Sequence, residues 1–267
     1  MNGQEDIIYV EGYNRFDRMS TSKGNQVKWF KDNMFIKADS MGYEGVSEAL
    51  VAELLRYIEG IDFVDYFMCR IIEDGKCFDG CYSYNCLKPD EEMISFYRIL
   101  QSYGFVSSNG KIDTRSKTLF EFVCDEISKI TGLDMYKYLS DLIKVDYITR
   151  NEDRHLNNIC VIMKADGSFR YAPIFDNGLS LLSDTSDYPL NSSTRYLMKK
   201  VHSKPFLSKF DKQFRLTDLK PLVIDYKSFL SSLENSYVEF KNVEYNRAKQ
   251  VLLLSLSELE GSVWIQK

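Results

Sequence analysis

A predicted β-hairpin with polar side chains at its two open ends is the feature of this sequence that most constrains its fold. Residues 159–163 and 168–171 are rich in β-branched and aromatic side chains, and an Asp-Gly pair lies between them. Asp-Gly between such runs is typical of a tight hairpin turn. Because a hairpin returns its second strand beside the start of its first, Asn158 before it and Asp176 after it are expected to lie side by side.

Asp153 precedes the same hairpin, on the loop that leads into its first strand. A carboxylate there could orient a hydroxyl nucleophile, while the Asn158 amide and the Asp176 carboxylate could hold Mg²⁺ on a nucleoside triphosphate. Asp and Asn are also common in ordinary turns, which is the alternative for Asp153 taken alone. The second Asp beyond the hairpin favours a phosphoryl-transfer centre over that alternative.

The residue pattern predicts an α+β fold with two lobes. A β-rich N-lobe over residues 1–88 contains hairpins and one helix, and a mainly helical C-lobe follows over residues 89–267. The hydrophobic fraction of 44% fits a folded protein with a sizeable core. Helical periodicity predicts helices over residues 46–58, 92–103, 116–131, 135–148, 219–232 and 243–260.

Lys37 and Glu48 form a second candidate pair, in the predicted N-lobe. Strand alternation over residues 34–37 places Met34 and Ile36 on one face and Lys37 on the other, from which it can reach toward phosphates. Glu48 lies one turn into the predicted helix and could hold the Lys37 ammonium. A solvated helix face is the alternative for Glu48.

Charge and hydropathy restrict the partners. The net charge is −5, from 34 basic and 39 acidic residues, with no basic block, so direct nucleic-acid binding is not expected. No apolar run approaches the length of a membrane span, so no membrane association is expected. The N-terminus lacks the features of a signal peptide, which predicts a cytoplasmic protein; specialised secretion into a host stays open.

These residues together resemble the HipA-like serine/threonine kinases, and in particular their short bacterial members. In that family the catalytic loop reads Asp-x-His-x-x-Asn, which Asp153, His155 and Asn158 match in order. Asp176, which follows an apolar residue, matches the later metal-binding Asp. The specific motifs are concentrated in residues 150–180, although the resemblance extends over most of the chain.

The resemblance implies a two-lobed protein-kinase-like fold, the use of ATP with Mg²⁺ or alternatively Mn²⁺, and a protein substrate with a Ser or Thr acceptor. The resemblance also implies an antitoxin-like protein partner. By position, Lys37 would contact phosphates with Glu48 fixing it, and Asp153 would orient the acceptor hydroxyl. Asn158 and Asp176 would hold the metal. The backbone facing adenine would be that of Asn85, Cys86 and Leu87.

The family's phosphate loop corresponds to residues near 20–25 and carries an autophosphorylated serine. The resemblance therefore predicts that this segment contacts the nucleotide and is autophosphorylated. The segment has no Gly-x-Gly-x-x-Gly run; its residues are Ser20, Thr21, Ser22, Lys23 and Gly24. His155 is interpreted as a hydrogen-bonding brace of the catalytic loop. Arg154 would pair with a phosphorylated residue or with a nearby carboxylate.

Two other functions fit the same residues. Small-molecule phosphotransferases of the aminoglycoside and choline kinase type share the Asp-x-His-x-x-Asn loop, and Asp184 and Asp187 make the region after Asp176 mildly acidic. A nucleotide-binding pseudokinase is the second alternative. The presence of Lys37 together with the three polar groups of the C-lobe argues against a pseudokinase.

Overall fold

The computed structural model describes residues 6–16, 26–235 and 241–267, which form an α+β structure. Its front part is a six-stranded sheet. In chain order the strands are Asp6–Tyr9 (β1), Asn14–Phe16 (β2), Lys28–Lys31 (β3), Met34–Ala38 (β4), Tyr66–Glu73 (β5) and Lys76–Tyr84 (β6).

The six strands follow the order β1-β5-β6-β4-β3-β2, and only β1 pairs in parallel with its neighbour. The predicted hairpins of the N-lobe are therefore present as β3–β4 and β5–β6. Asp74 and Gly75 at the tip of β5–β6 both take positive φ, which glycine and aspartate tolerate well. This sheet ends at Tyr84, and the lobe boundary at residue 88 stays a prediction.

One helix, Glu44–Leu55 (α1), packs against β5 and β6 and is buried along its whole length. On the sheet, Trp29 and Ile36 are enclosed with Cys69 and Ile71 in a small apolar core. Strand alternation therefore points Ile36 into this core, and the next residue, Lys37, toward the opposite face where α1 lies.

The rear part contains the remaining helices. Thr118 begins one of them with a capping box, in which its hydroxyl accepts from the Glu121 N–H while the Glu121 carboxylate accepts from the Thr118 N–H. The helices are Phe96–Ser102 (α2), Leu119–Thr131 (α3), Met135–Thr149 (α4), Thr194–Met198 (α5), Phe210–Phe214 (α6), Tyr226–Asn235 (α7) and Asn242–Leu259 (α8).

Two small sheets also lie in this part. Glu92–Ser95 (β7), Cys160–Met163 (β8) and Phe169–Tyr171 (β9) form an antiparallel sheet, so the hairpin predicted between Asn158 and Asp176 is present as β8–β9. Leu222–Ile224 (β10) and Trp264–Gln266 (β11) pair in parallel.

Two predicted helices begin later than expected. The helix predicted from residue 92 starts at Phe96, because β7 pairs with β8 and Ser95 then caps the helix by accepting from the Arg98 N–H. The helix predicted from residue 219 starts at Tyr226, because β10 pairs with the C-terminal β11. In both cases the local periodicity indicated helix, but the residues form a strand because they pair with a distant segment. Within the described residues no helix is both long and apolar enough to cross a membrane.

Candidate active site

Lys37 and Glu48 meet between the six-stranded sheet and α1. Lys37 Nζ lies 2.9 Å from Glu48 Oε1 and 2.9 Å from Asp176 Oδ1, so one ammonium joins the N-lobe to the segment after β9. Both members of the first pair are buried, with side-chain exposures of 11% for Lys37 and 2% for Glu48. The hydroxyl of Tyr66 adds a longer contact to Lys37 Nζ at 3.4 Å.

The charges of this triad depend on one another. Burial lowers the pKa of the Lys37 ammonium, but Asp176 and Glu48 outweigh it and hold the pKa well above its ordinary value. Burial would raise the pKa of Asp176, yet Lys37 and Lys28 outweigh it and lower the pKa. Burial raises the pKa of Glu48 against the opposing effect of Lys37. The ammonium and the Asp176 carboxylate are therefore both charged at neutral pH.

The backbone at Asp176 helps to fix this geometry. Asp176 has φ of 58°, in the left-handed region that Asp and Asn visit more readily than other non-glycine residues. The next residue, Asn177, donates its backbone N–H to Glu48 Oε2 at 2.8 Å and accepts from the Ser47 hydroxyl at its carbonyl. α1 thus holds the segment that carries Asp176 through two residues of its first turns.

Asp153 and Asn158 border the same cavity as Asp176. Asn158 Nδ2 donates to the Asp153 carbonyl at 3.2 Å, and the Asp153 N–H is held by Asn151 Oδ1 at 3.0 Å. The cavity measures about 30 Å³, enough for an ion or one or two water molecules. Its lining residues are Gln26, Ser40, Glu44, Asp153, Asn158, Asp176, Gly178 and Leu179.

Arg154 is fully buried and pairs with a nearby carboxylate, which resolves the choice that the sequence left open. Its guanidinium donates to both oxygens of Asp146 on α4, with the shortest distance 3.0 Å. It also donates to the carbonyls of Asn158 and Phe175 and to Asn177 Oδ1. Arg154 therefore joins residues 151–158 to the segment that carries Asp176.

His155 braces the loop through its backbone. Its carbonyl accepts from the Asn158 N–H at 2.8 Å. Both ring nitrogens are buried, and neither has a hydrogen-bond partner among the described residues; Nε2 lies 3.8 Å from Asp153 Oδ2. The predicted side-chain hydrogen bond of His155 is therefore not present here.

The predicted adenine-facing segment lies between β6 and β7. The Cys86 carbonyl accepts from Arg170 at 3.2 Å, and the Leu87 N–H is held by Asn85 Oδ1 at 3.1 Å. Leu87 and Phe175, the residue before Asp176, both pack against the same small apolar cluster. This places part of the segment near the candidate active site.

The predicted phosphate loop lies outside the described residues; its members are Ser20, Thr21, Ser22, Lys23 and Gly24. One residue at the site had no predicted role: Lys204 Nζ lies 3.0 Å from Asp153 Oδ1. Its role did not follow from the sequence, because the contact joins residues 51 positions apart.

Comparison with known proteins bears on the fold. No protein-family model matches the chain, and no curated protein matches it. Among solved structures, the proinflammatory kinase CtkA of Helicobacter pylori has a similar fold, with a TM-score of 0.61, 13% sequence identity, and coverage of 94% of each chain. The expected kinase-like α+β fold is thereby confirmed, and the resemblance to HipA-like kinases is confirmed as a likeness of fold.

A slighter likeness links the chain to HipA of Shewanella oneidensis MR-1, solved with HipB and its operator DNA. The TM-score is 0.49 and the identity 9%, over 84% of this chain and 58% of that one. Nothing about partners follows from a likeness of this size.

Proposed function

We propose that this chain is an ATP-dependent serine/threonine protein kinase that phosphorylates itself as well as a protein substrate. The observation that carries the proposal is the contact of Lys37 with both Glu48 and Asp176, beside a cavity that Asp176 shares with Asp153 and Asn158. A buried lysine between two carboxylates, next to an Asp and an Asn, supplies the groups that phosphoryl transfer requires.

The donor atoms fit a divalent cation. The Asn158 amide nitrogen donates to the Asp153 carbonyl, and Asp176 Oδ1 accepts from the Lys37 ammonium. The Asn158 Oδ1 and Asp176 Oδ2 oxygens have no other hydrogen bond within residues 6–16, 26–235 and 241–267. Oxygen ligands of this kind suit Mg²⁺ or Mn²⁺, which would neutralise phosphate charge when bound.

The remaining groups take the roles that the resemblance to HipA-like kinases implies. Lys37 contacts the α- and β-phosphates of ATP, and Glu48 keeps its ammonium in place. Asp153 orients the acceptor hydroxyl and receives its proton. The backbone of Asn85, Cys86 and Leu87 faces adenine, and one of Ser20, Thr21 and Ser22 is the autophosphorylated residue. An antitoxin-like partner and a cytoplasmic location stay predictions.

Incubation with ATP and Mg²⁺, followed by intact-mass spectrometry and phosphosite mapping, tests the proposal. The wild-type chain is expected to gain phosphate on residues 20–22, whereas Asp153→Asn should lose at least 10²–10⁴-fold in rate. Asp166→Asn is a matched control, because Asp166 lies on the exposed β8–β9 turn and should not matter. Undiminished incorporation in Asp153→Asn would remove Asp153 from the mechanism.

A small-molecule phosphotransferase is the second candidate, and one observation favours it. The carboxylates of Glu152, Asp184 and Asp187 lie within 4.8 Å of one another, and Glu152 directly precedes Asp153 in the chain. Such a group would suit a cationic acceptor. Labelled ATP with a panel of aminoglycosides, choline and protein acceptors separates the two candidates, because each predicts label in a different product.

A further inference from the structure

Lys204 is an exposed lysine whose ammonium nevertheless contacts a residue of the candidate active site. Its Nζ is 3.0 Å from Asp153 Oδ1, although 45% of the Lys204 side chain is exposed while the Asp153 side chain is 10% exposed. A surface ion pair of this kind contributes little to stability, so stability alone gives no reason for its geometry. What distinguishes it is its partner, the carboxylate assigned to the acceptor hydroxyl.

The segment that carries Lys204 is held in place by a buried glutamine. Gln213 on α6 donates through Nε2 to the Lys204 carbonyl at 2.9 Å, and its Oε1 accepts from the N–H groups of Phe206 and Leu207. Ser203 closes the loop by donating its hydroxyl to the Leu207 carbonyl at 2.6 Å. Because the backbone on both sides of Lys204 is fixed, its stem starts from a defined position beside Asp153.

The catalytic loop itself provides no cation for this position. Arg154, the only Lys or Arg in residues 151–158, is fully buried and turned toward Asp146. Lys37 pairs with Asp176 and Glu48. One ammonium, that of Lys37, therefore lies at the Asp176 carboxylate, and a second, that of Lys204, lies at the Asp153 carboxylate.

We propose that Lys204 is a further catalytic residue whose ammonium contacts the phosphoryl group during its transfer to the hydroxyl that Asp153 orients. This inference rests on the proposed kinase function. In the step, the acceptor oxygen forms a bond to the γ-phosphorus, the bond from that phosphorus to the β–γ bridging oxygen breaks, and ADP leaves. The hydroxyl proton passes to Asp153.

Proton uptake by Asp153 leaves the Lys204 ammonium free to interact with the phosphoryl group. As the Asp153 carboxylate loses its negative charge, its attraction for the Lys204 ammonium falls, and negative charge on the transferring oxygens takes its place. A fixed cation at that point stabilises the transition state more than the ground state, which is the condition for raising turnover. Lys204 should therefore affect the rate of transfer and leave the binding of ADP unchanged.

The test compares Lys204→Met, Lys204→Arg and the control Lys209→Met with the wild-type chain. Lys209 lies on the same segment, is exposed, and has no ion pair among the described residues. Four quantities are measured. These are the melting temperature and, with Mg²⁺ present, the turnover of ATP, the affinity for ADP alone, and the affinity for ADP with aluminium fluoride, which mimics the phosphoryl group in transfer.

Lys204→Met should lower turnover about 10²–10³-fold and abolish the tighter binding of ADP with aluminium fluoride, while its affinity for ADP stays within about twofold. Lys204→Arg should restore part of both effects, and Lys209→Met should behave as wild type. A merely structural role would lower the melting temperature and weaken ADP binding together, which would overturn the proposal.

Two further outcomes separate this inference from the proposed function. If the wild-type chain binds the aluminium fluoride complex tightly and Lys204→Met does so equally, the kinase assignment stands and the role of Lys204 is refuted. If the wild-type chain binds neither ADP nor the complex, the proposed function fails and the role of Lys204 fails with it.

Discussion

The backbones of Gly45 on α1 and Gly80 on β6 lie in direct contact. A Cβ on Gly45 would stand 2.6 Å from the Gly80 carbonyl oxygen, and a Cβ on Gly80 would stand 2.1 Å from the Lys37 carbonyl oxygen. Only hydrogen atoms fit at both places. Gly80 therefore lets β6 lie against the Lys37 carbonyl of β4, and Gly45 sets the distance between α1 and β6. That distance brings Glu48 to within hydrogen-bond reach of Lys37.

Gly45→Ala should therefore destabilise the protein and weaken nucleotide binding. Helix propensity alone predicts the opposite sign, since alanine in a helix is more favourable than glycine by up to about 1 kcal/mol. The overpacking of α1 against β6 should outweigh this and cost about 1–3 kcal/mol. Chemical denaturation measures the change, and a Gly45→Ala chain that is as stable as wild type would show that α1 can shift freely.

Removal of the Lys37 ammonium should destabilise the protein more at high pH than at low pH. In Lys37→Met the Glu48 and Asp176 carboxylates face each other without a cation, so at least one pKa rises in the folded state. A carboxylate whose pKa is raised on folding stabilises the folded chain below its unfolded pKa, and this stability is lost as pH rises through the folded pKa. Lys37→Met should therefore be less stable than wild type, by about 3–5 kcal/mol at pH 8 and by less at pH 5.

Lys31→Met is the control for this prediction, because Lys31 lies exposed at the end of β3. Unfolding by guanidinium chloride at pH 5, 6.5 and 8 gives the three free energies for each variant. Equal losses in Lys37→Met at all three values would mean that neither carboxylate takes up a proton, and that the triad is less tightly coupled than its 2.9 Å distances indicate.

The elements of the site that depend only on residues close in sequence were predicted correctly. The β8–β9 hairpin and the strand alternation at Lys37 depend on neighbouring residues, and both were correct. β7 was missed because its residues continue a helix-spaced apolar pattern into α2. Only pairing with β8, in which Glu92 lies opposite Met163 and Ser95 opposite Cys160, makes them extended. Tertiary pairing overrides local propensity in such short segments.

The residues that position the catalytic groups were harder to predict from sequence. Arg154 reads equally well as a phosphate ligand or as a structural cation until Asp146 is placed behind it by α4. Lys204 comes from a loop with no periodic pattern, and Gln213 fixes that loop through backbone contacts that no spacing encodes. Such contacts arise only when separate helices pack.

Asp39 should make the wild-type chain less stable as pH rises toward neutrality. Burial, aided by the nearby Glu44 carboxylate, raises the pKa of Asp39 from 3.8 to about 7, although its Oδ1 accepts from the Gly45 N–H at 2.7 Å. Between these values the folded chain holds a proton that the unfolded chain releases, so the free energy of unfolding falls as pH increases from about 4 to about 7. The loss is at most about 4 kcal/mol.

Asp39→Asn should remove most of this slope, because asparagine keeps an oxygen for the Gly45 N–H and does not ionise. Asp74→Asn is the control, since Asp74 lies at the exposed tip of β5–β6, where asparagine also accepts positive φ. Urea denaturation between pH 4.5 and 8 measures both slopes. If Asp39→Asn keeps the wild-type slope, another group is responsible for it.

The buried pair of Arg154 and Asp146 should be more costly to break than to replace. Arg154→Met leaves the Asp146 carboxylate, which is 1% exposed, without a cation in the interior, and deprives two carbonyls and Asn177 Oδ1 of a donor. The expected loss is about 3–5 kcal/mol, with turnover reduced because Asn158 and Asp176 are no longer tied together. Adding Asp146→Asn removes the unpaired buried charge, so the double variant should regain stability relative to Arg154→Met while its activity stays low.

Denaturation of the single and double variants gives the coupling energy between Arg154 and Asp146. Additive losses of stability would mean that Arg154 acts through its carbonyl contacts and not through Asp146.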